Sequence, residues 1–364
     1  MKVTVSRSLL SDALRKVQGL ASGKGSLPIL SNVKIEAADQ KMKFTTTDLD
    51  LSVVAEITCN VVEGGAITLP AKLLSDAISR AAEGDVSIEV NEVDNKSIIK
   101  AGSSVFRITG LPATDFPTLP MDDGDETDFV LPQEVLKAMF RRTAYAMSQD
   151  DTRRTLKGVH VIFENGYLSC VATDGRRLAI AEYHPDEAYQ FSTTFTLPAK
   201  TVLEMNKNLG STGNITFKMC KSQITATLDN GIVFYSKLLD DMFPNYKQVI
   251  PQENDNVVEI DRAMLVAAID RVGIFSEAHS MKFDIENGEI KLKSSTETGN
   301  GEESVPVKYD GEAIHATFNH AYILDVLKAV DDDEVKFAFS DGTRPVIITS
   351  SLPGLALVMP LRIN

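Results

Sequence analysis

Apolar residues return at helical spacing in six places along this 364-residue chain. Leu9, Leu10, Ala13, Leu14 and Val17 make one such face, Leu73, Leu74, Ala77, Ile78 and Ala81 another, and Ile323, Val326, Leu327 and Val330 the last. The pattern predicts helices over 6–20, 70–82, 132–148, 199–209, 261–275 and 319–330. Between them, β-branched and apolar residues alternate or cluster between turn signals. Strands are expected over 35–44, 52–57, 86–90, 97–100, 105–108, 159–163, 167–172, 215–219, 224–228, 232–236 and 346–350. The fold class is therefore α+β, with sheet predominating.

The helices come in pairs because the sequence repeats. Leu-Pro-Ala-Lys stands at 69–72 and again at 197–200, an offset of 128. Thr47-Asp48 recurs as Thr173-Asp174 (126), and Phe116-Pro117 as Phe243-Pro244 (127). A third copy is eroded. Its opening, Ile260 to Phe275, matches Val3 to Val17 and Val130 to Met147, each an extended stretch running into a helix. The same figure returns in every copy after Thr68-Leu69, Thr196-Leu197 and Thr317-Phe318. Three copies of a two-helix, sheet-rich unit follow. Proline-containing acidic segments separate them, one of them holding Pro112, Pro117 and Pro120 with six acidic residues from Asp115 to Asp128. The expected domains are 1–120, 128–250 and 256–364.

Composition narrows the class. No run approaches the roughly 18 consecutive apolar residues of a membrane span, and the opening MKVTVSRSLL has no apolar secretory core. Three cysteines, Cys59, Cys170 and Cys220, with no Cys-x-x-Cys pair, fit a reducing, cytoplasmic setting. The net charge of −14 argues against a nucleic-acid partner until its distribution is considered. The six predicted helices hold thirteen Lys/Arg against seven Asp/Glu, a surplus of +6, so the remainder carries −20. Lys137 with Arg141, and Lys200 with Lys207, share helical faces. Solvated helix surfaces explain any one of these faces. Repeated by rotation, the six would form a basic layer on an acidic body, which draws a polyanion to that layer alone.

Enzyme chemistry finds little support. Gly19 to Lys24 misses a phosphate-binding loop by one residue and lacks the following Ser/Thr. His160, His184, His279, His315 and His320 have no metal-ligand spacing. Asp48, Asp50 and Asp174 could serve as acid or base, but their recurrence at one repeat position marks a turn, as Asp174-Gly175 suggests. No cofactor or metal is expected. Two classes remain, a polyanion-binding scaffold and an enzyme whose acidic pairs do chemistry.

Several segments resemble one family in order and at the repeat spacing: SLPIL (26–30), TTDLDL (46–51), LPATDFP (111–117), VATDGRRLA (171–179), Phe243-Pro244 with Tyr246, FN-x-x-Y-x-x-D-x-L (318–327) and VMPLRI (358–363). The chain resembles the bacterial DNA polymerase III beta subunits, the processivity sliding clamps, over its full length. That resemblance implies a head-to-tail homodimeric ring around duplex DNA, lined by helices and walled by sheet. It implies partners as well: sequence-independent double-stranded DNA, the polymerase III alpha subunit, the clamp loader and other clamp-motif proteins, with no membrane. The implied DNA contacts are Lys24, Lys72, Gln149, Arg153, Arg154, Lys200 and Lys207, although the best-known form of the family has aromatics in place of Arg153 and Arg154. The implied peptide pocket is Leu156, Thr173, Gly175, Arg176, Leu178, Pro244, Val249, Pro345, Val358, Met359, Pro360 and Leu361. For VMPLRI, a final strand and a pocket rim are compatible readings, with Val358 in the strand and Met359 to Leu361 at the rim. The implied dimer contact joins Phe106 and Ile108 to Ile274 and Phe275, while the residues alone favour an ordinary core aromatic at Phe106.

Overall fold

A computed structural model describes residues 1–21, 27–118 and 127–362. Among these are six α-helices: α1 (Arg7–Val17), α2 (Ala71–Arg80), α3 (Gln133–Thr143), α4 (Ala199–Asn208), α5 (Arg262–Val272) and α6 (His320–Ala329). Three of the expected spans prove to be an α-helix extended by a 3-10 turn, at Gln18–Leu20, Ala144–Ala146 and Gly273–Phe275. Tightening the last turn satisfies carbonyls that an α-helix end leaves without partners. Proline precedes α2, α3 and α4, fixing φ just before the first turn, where no donor is needed. Side chains cap the other end of the set: Asp261 accepts from the Met264 N–H at 2.8 Å, and Asn319 from the Ala321 N–H at 3.0 Å.

The buried stripes are narrower than the sequence faces suggested. Helix α1 buries Leu10, Ala13, Leu14 and Val17, and α2 buries Ala71, Leu74 and Ile78, whereas Leu9 and Leu73 are about half exposed. Both lie one position off the stripe, on the side turned to solvent.

The chain forms two compact units, 1–136 with 203–238 and 137–202 with 239–364, so the middle repeat is shared between them. The first unit holds two antiparallel sheets. One runs in the order Asn60–Glu63, Lys2–Ser6, Asp85–Asn91, Lys96–Ala101, Ser104–Thr109. The other runs Thr127–Pro132, Asn214–Met219, Gln223–Leu228, Val233–Lys237, Leu51–Thr58, Lys41–Thr47, Asn32–Ala38, Gly65–Pro70. The second unit is a twelve-stranded sheet that begins Thr193–Pro198, Gly158–Glu164, Tyr167–Thr173, Arg177–Tyr183, Gly354–Val358 and ends Ser280–Glu286, Ile314–Asn319. Each long sheet is continuous across a repeat boundary. Val233–Lys237 pairs with Leu51–Thr58, and Gly354–Val358 with Arg177–Tyr183. Strand pairing across the boundary makes the compact units differ from the sequence repeats.

Two strand expectations change. The single strand expected over 35–44 is a hairpin, broken at Asp39 and Gln40, both at positive φ (49° and 59°). Strands at Arg177–Tyr183, Glu289–Thr296 and Gly299–Lys308 were not anticipated. In Gly299–Lys308 the only buried side chain is Val305, so the apolar alternation that signals a strand is missing.

The repeats are visible in single hydrogen bonds. The Leu111, Leu239 and Leu361 N–H groups donate to the carbonyls of Thr68, Thr196 and Thr317 at 3.0, 3.0 and 2.7 Å. Asp48 Oδ1 accepts from the N–H groups of Asp50 and Leu51, and Asp174 Oδ1 from those of Arg176 and Arg177, all within 2.8 to 3.1 Å. In each turn the preceding threonine donates its hydroxyl to the carbonyl four residues on, Leu51 or Arg177. The third copy keeps part of this turn, with Thr296 accepting from the Thr298 N–H. These aspartates hold turns closed. Among the described residues, no helix is long and apolar enough to cross a membrane.

Candidate binding groove and basic helix faces

In the second unit a small apolar cluster lies apart from the main core. Val171, Leu178, Ile180, Phe243 and Leu357 are buried together, flanked by partly buried Leu156, Ile162, Tyr246, Ile250 and Leu355. Strand register creates it: Leu178 stands opposite Leu357, and Arg177 opposite Val358. Beyond the strand the chain stays pinned, as the Met359 N–H donates to the Arg176 carbonyl at 2.9 Å. Met359 (42% exposed), Leu361 (37%) and Val249 (52%) are exposed.

The structure places the expected pocket residues as follows. Leu178 belongs to the cluster and Leu156 flanks it, while Met359 and Leu361 are exposed, Pro345 and Pro360 half-buried, and Pro244 exposed next in sequence to Phe243. Thr173 and Gly175 form the turn, where Gly175 takes φ 85°. Val358 is corrected. It is fully buried in the larger core with Val346 and Ala356, on the opposite face of the sheet. Successive side chains alternate across a strand, so Leu357 and Leu355 face the groove in its place. Val171, Ile180, Phe243 and Ile250 were also missed. The repeated Phe-Pro pair was their one sequence signal.

Phe243 is held by His160, whose ring stacks on it at 4.6 Å and 2°. Burial pushes the His160 imidazole down to about 4, so it is neutral, and its Nδ1 lies 3.0 Å from the Thr196 hydroxyl. At the other end, Arg177 fixes the turn. Its Nε bonds Asp174 Oδ2 at 3.0 Å, its Nη1 bonds Asp325 Oδ2 at 2.5 Å, and its guanidinium lies 4.3 Å from the Tyr322 ring centre. Burial raises the Tyr145 phenol, which stays protonated beneath the same guanidinium.

The cations expected to meet DNA are spread over both units. Lys24 lies outside the described residues. Lys72 on α2, Lys200 on α4, Gln149 and Arg154 are exposed. Lys207 is exposed and pairs with Glu204 at 2.6 Å; it shares a cavity of about 360 Å³ with Arg15 and Lys16. Arg153 is folded onto the turn, donating to the Asp174 carbonyl at 2.8 Å. With Gln149 and Arg176 it lines a cavity of about 340 Å³, so residues expected at two different sites lie at one.

Of the expected dimer residues, Phe106 is half-buried and Ile108 buried on Ser104–Thr109, the last strand of its sheet. Ile274 is 77% exposed. Phe275 lies against Gly301, where a Cβ would stand 2.6 Å from its ring. A side chain at 301 would displace that ring. Among the described residues no group of three or more His, Cys, Asp or Glu could hold a metal ion.

A threefold two-helix, sheet-rich repeat with basic helix faces and an apolar groove defines the class as a DNA clamp fold. Residues 1–120, 130–245 and 247–354 match, respectively, the N-terminal, central and C-terminal domains of the DNA polymerase III beta subunit. The chain belongs to that family, whose members are processivity factors of DNA replication and not enzymes. It is 34% identical over its full length to the full-length beta sliding clamp of Chlamydia pneumoniae, and 33% identical to that of Caulobacter vibrioides, again over both full lengths. Crystal structures of the Pseudomonas aeruginosa clamp, one of them bound to griselimycin, superpose with TM-scores of 0.91 and 0.92 at 32% identity, covering both chains completely.

Proposed function

We propose that two copies of this chain close head to tail around duplex DNA, each contributing the domains 1–120, 128–250 and 256–364. One observation carries the reading. At both repeat boundaries within the chain, the same two repeat positions pair: Val233–Lys237 with Leu51–Thr58, and Gly354–Val358 with Arg177–Tyr183. The corresponding strand of the first repeat, Ser104–Thr109, is an edge, and the counterpart of Leu51–Thr58 in the third repeat is Gly299–Lys308. Joining these between chains gives every boundary the same geometry, which closes the assembly. Ser104–Thr109 carries Phe106 and Ile108, and Gly299–Lys308 carries the glycines beneath Phe275 beside Ile274, so apolar side chains stand on both halves of the contact.

A closed ring holds DNA by topology, so its phosphate contacts can be weak and exchangeable, and the ring slides. Lys72, Gln149, Arg154, Lys200 and Lys207 suit that role, with Lys24. Arg153 is engaged by the Asp174 turn and contributes chiefly through position. The groove of Leu156, Leu178, Val249, Leu357, Met359 and Leu361 receives short apolar peptide segments of the polymerase III alpha subunit, the clamp loader and other clamp-motif proteins. Tethering raises the polymerase's effective concentration at the primer end. Free Cys59, Cys170 and Cys220 suit a cytoplasmic location.

The test is retention on DNA after loading by the matching loader complex. The expected result is retention on circular DNA and loss upon linearisation. Equal retention on both forms overturns the topological reading.

A further inference from the structure

The groove of the second unit has a counterpart in the first unit whose backbone is the same and whose chemistry is not. The Asp48 and Asp174 turns share their hydrogen bonds, and the Lys237 N–H donates to the Asp50 carbonyl at 2.8 Å as the Met359 N–H does to that of Arg176. Ser52 stands opposite Tyr235 as Leu178 stands opposite Leu357. The 126-residue offset then matches Val171 with Thr45, Ile162 with Glu36 and His160 with Lys34, and Phe116-Pro117 matches Phe243-Pro244. These counterparts converge in space: Lys34, Glu36, Thr45, Ser52, Phe116 and Tyr235 line one cavity of about 230 Å³.

The groove is thus built twice and lined with apolar side chains once. In the first unit Lys34 Nζ pairs with Glu36 Oε1 at 2.8 Å where the second unit has His160 and Ile162, and Ser52 donates to the Thr47 hydroxyl at 2.7 Å where the second has Leu178. We propose that Lys34, Glu36, Thr45, Ser52 and Tyr235 are specificity-determining residues that close this second groove to apolar peptides and so limit the chain to one peptide site. A leucine or phenylalanine entering it would strip water from the Lys34–Glu36 ion pair and from the Thr45 and Tyr235 hydroxyls without offering them partners, and would meet a hydroxyl at Ser52 in place of an apolar side chain. Rejection comes from the cost imposed on the unwanted complex, while shape and backbone are left alone. Phe116 keeps its place because it is 5% exposed and serves as floor.

The inference rests on the reading that the groove of the second unit binds apolar peptides, and the experiment separates the two. The full-length chain is titrated calorimetrically with the pentapeptide acetyl-SLSLF-amide, in parallel with the variant Lys34→His/Glu36→Ile/Thr45→Val/Ser52→Leu/Tyr235→Leu. The expected stoichiometry is one peptide per chain for the natural sequence and two for the variant. One peptide in both leaves the groove reading intact and overturns the inference. Two in the natural chain also overturn it, because the polar groove is then open. No binding to the natural chain overturns the groove reading itself, and the inference with it. Should the fivefold variant melt below the assay temperature, Thr45→Val/Ser52→Leu/Tyr235→Leu keeps the Lys34–Glu36 pair. It is expected to bind a second peptide about tenfold more weakly than the first, and a stoichiometry of one there overturns the proposal.

Discussion

Arg177→Met tests whether the groove depends on a buried cation at its back. The side chain is 9% exposed, bonded to Asp174 (15% exposed) and Asp325 (45%), and lies over Tyr322. Breaking a fully buried ion pair costs about 3–5 kcal/mol, but the exposed side of Asp325 reduces its share to about 0.5 kcal/mol. Asp174 keeps its two backbone donors, which cuts its part to about 1 kcal/mol. Loss of a desolvated cation–π contact adds about 2 kcal/mol. The total is about 3.5 kcal/mol of local stability, with methionine retaining the packing of the stem. Native-state hydrogen exchange reads local opening directly, which suits a chain of two compact units better than a single unfolding midpoint. Amides of 174–180 and 355–359 are expected to exchange about three-hundredfold faster at this cost, tenfold for each 1.4 kcal/mol. Arg177→Lys is expected to recover less than half of the loss, because an ammonium cannot bridge two carboxylates and stack on an aromatic ring at once. Acceleration below about tenfold in Arg177→Met, or full recovery by lysine, would refute the account.

Three further outcomes follow from the same geometry. His160 is neutral when folded, with its value held near 4 against 6.5 unfolded, so the stability it contributes is complete above pH 6.5 and is lost as pH falls toward 4. The full shift corresponds to about 3 kcal/mol, and partial solvent access reduces it to about 2 kcal/mol; urea titrations at pH 7 and 4.5 should show His160→Gln losing that much less than the natural chain on acidification, and identical losses would contradict the assignment. Gly175→Ala places a Cβ at φ 85° and 2.9 Å from Arg153 Nη1, at a cost of about 1 kcal/mol; the equivalent turn already accepts Leu49 at φ 80°, so a drop in thermal midpoint with the fold retained is the expected result, and no drop would argue against strain. Deleting Met359 to Asn364 should abolish binding of acetyl-SLSLF-amide while leaving the solution mass that of a dimer, and unchanged affinity would remove the terminal segment from the groove.

Repetition made much of this molecule legible from sequence. Thr68, Thr196 and Thr317 mark equivalent places because each accepts the same backbone hydrogen bond, and Thr-Asp recurs because it folds the same turn. The helices were found since a periodic apolar face must meet a sheet. Gly299–Lys308 escaped notice for the opposite reason, its outward positions carrying Asn and Glu rather than an alternating apolar pattern. In the groove, Leu178 was readable from a motif, whereas Leu357 was displaced by its neighbour Val358. A shift of one residue reverses the face of a strand, and only the pairing partner fixes which face is which.

The number of repeats, the six helices, the repeated turn and the surplus of cations on the helices follow from residues close together in the chain and are written in their order. Folding in three dimensions adds that sheets run continuously across repeat boundaries, that Leu357 rather than Val358 faces the groove, that Arg153 turns back onto Asp174, and that a second cavity has a polar lining. Each of these depends on the register between strands far apart in sequence, and register is set by which buried faces pack together.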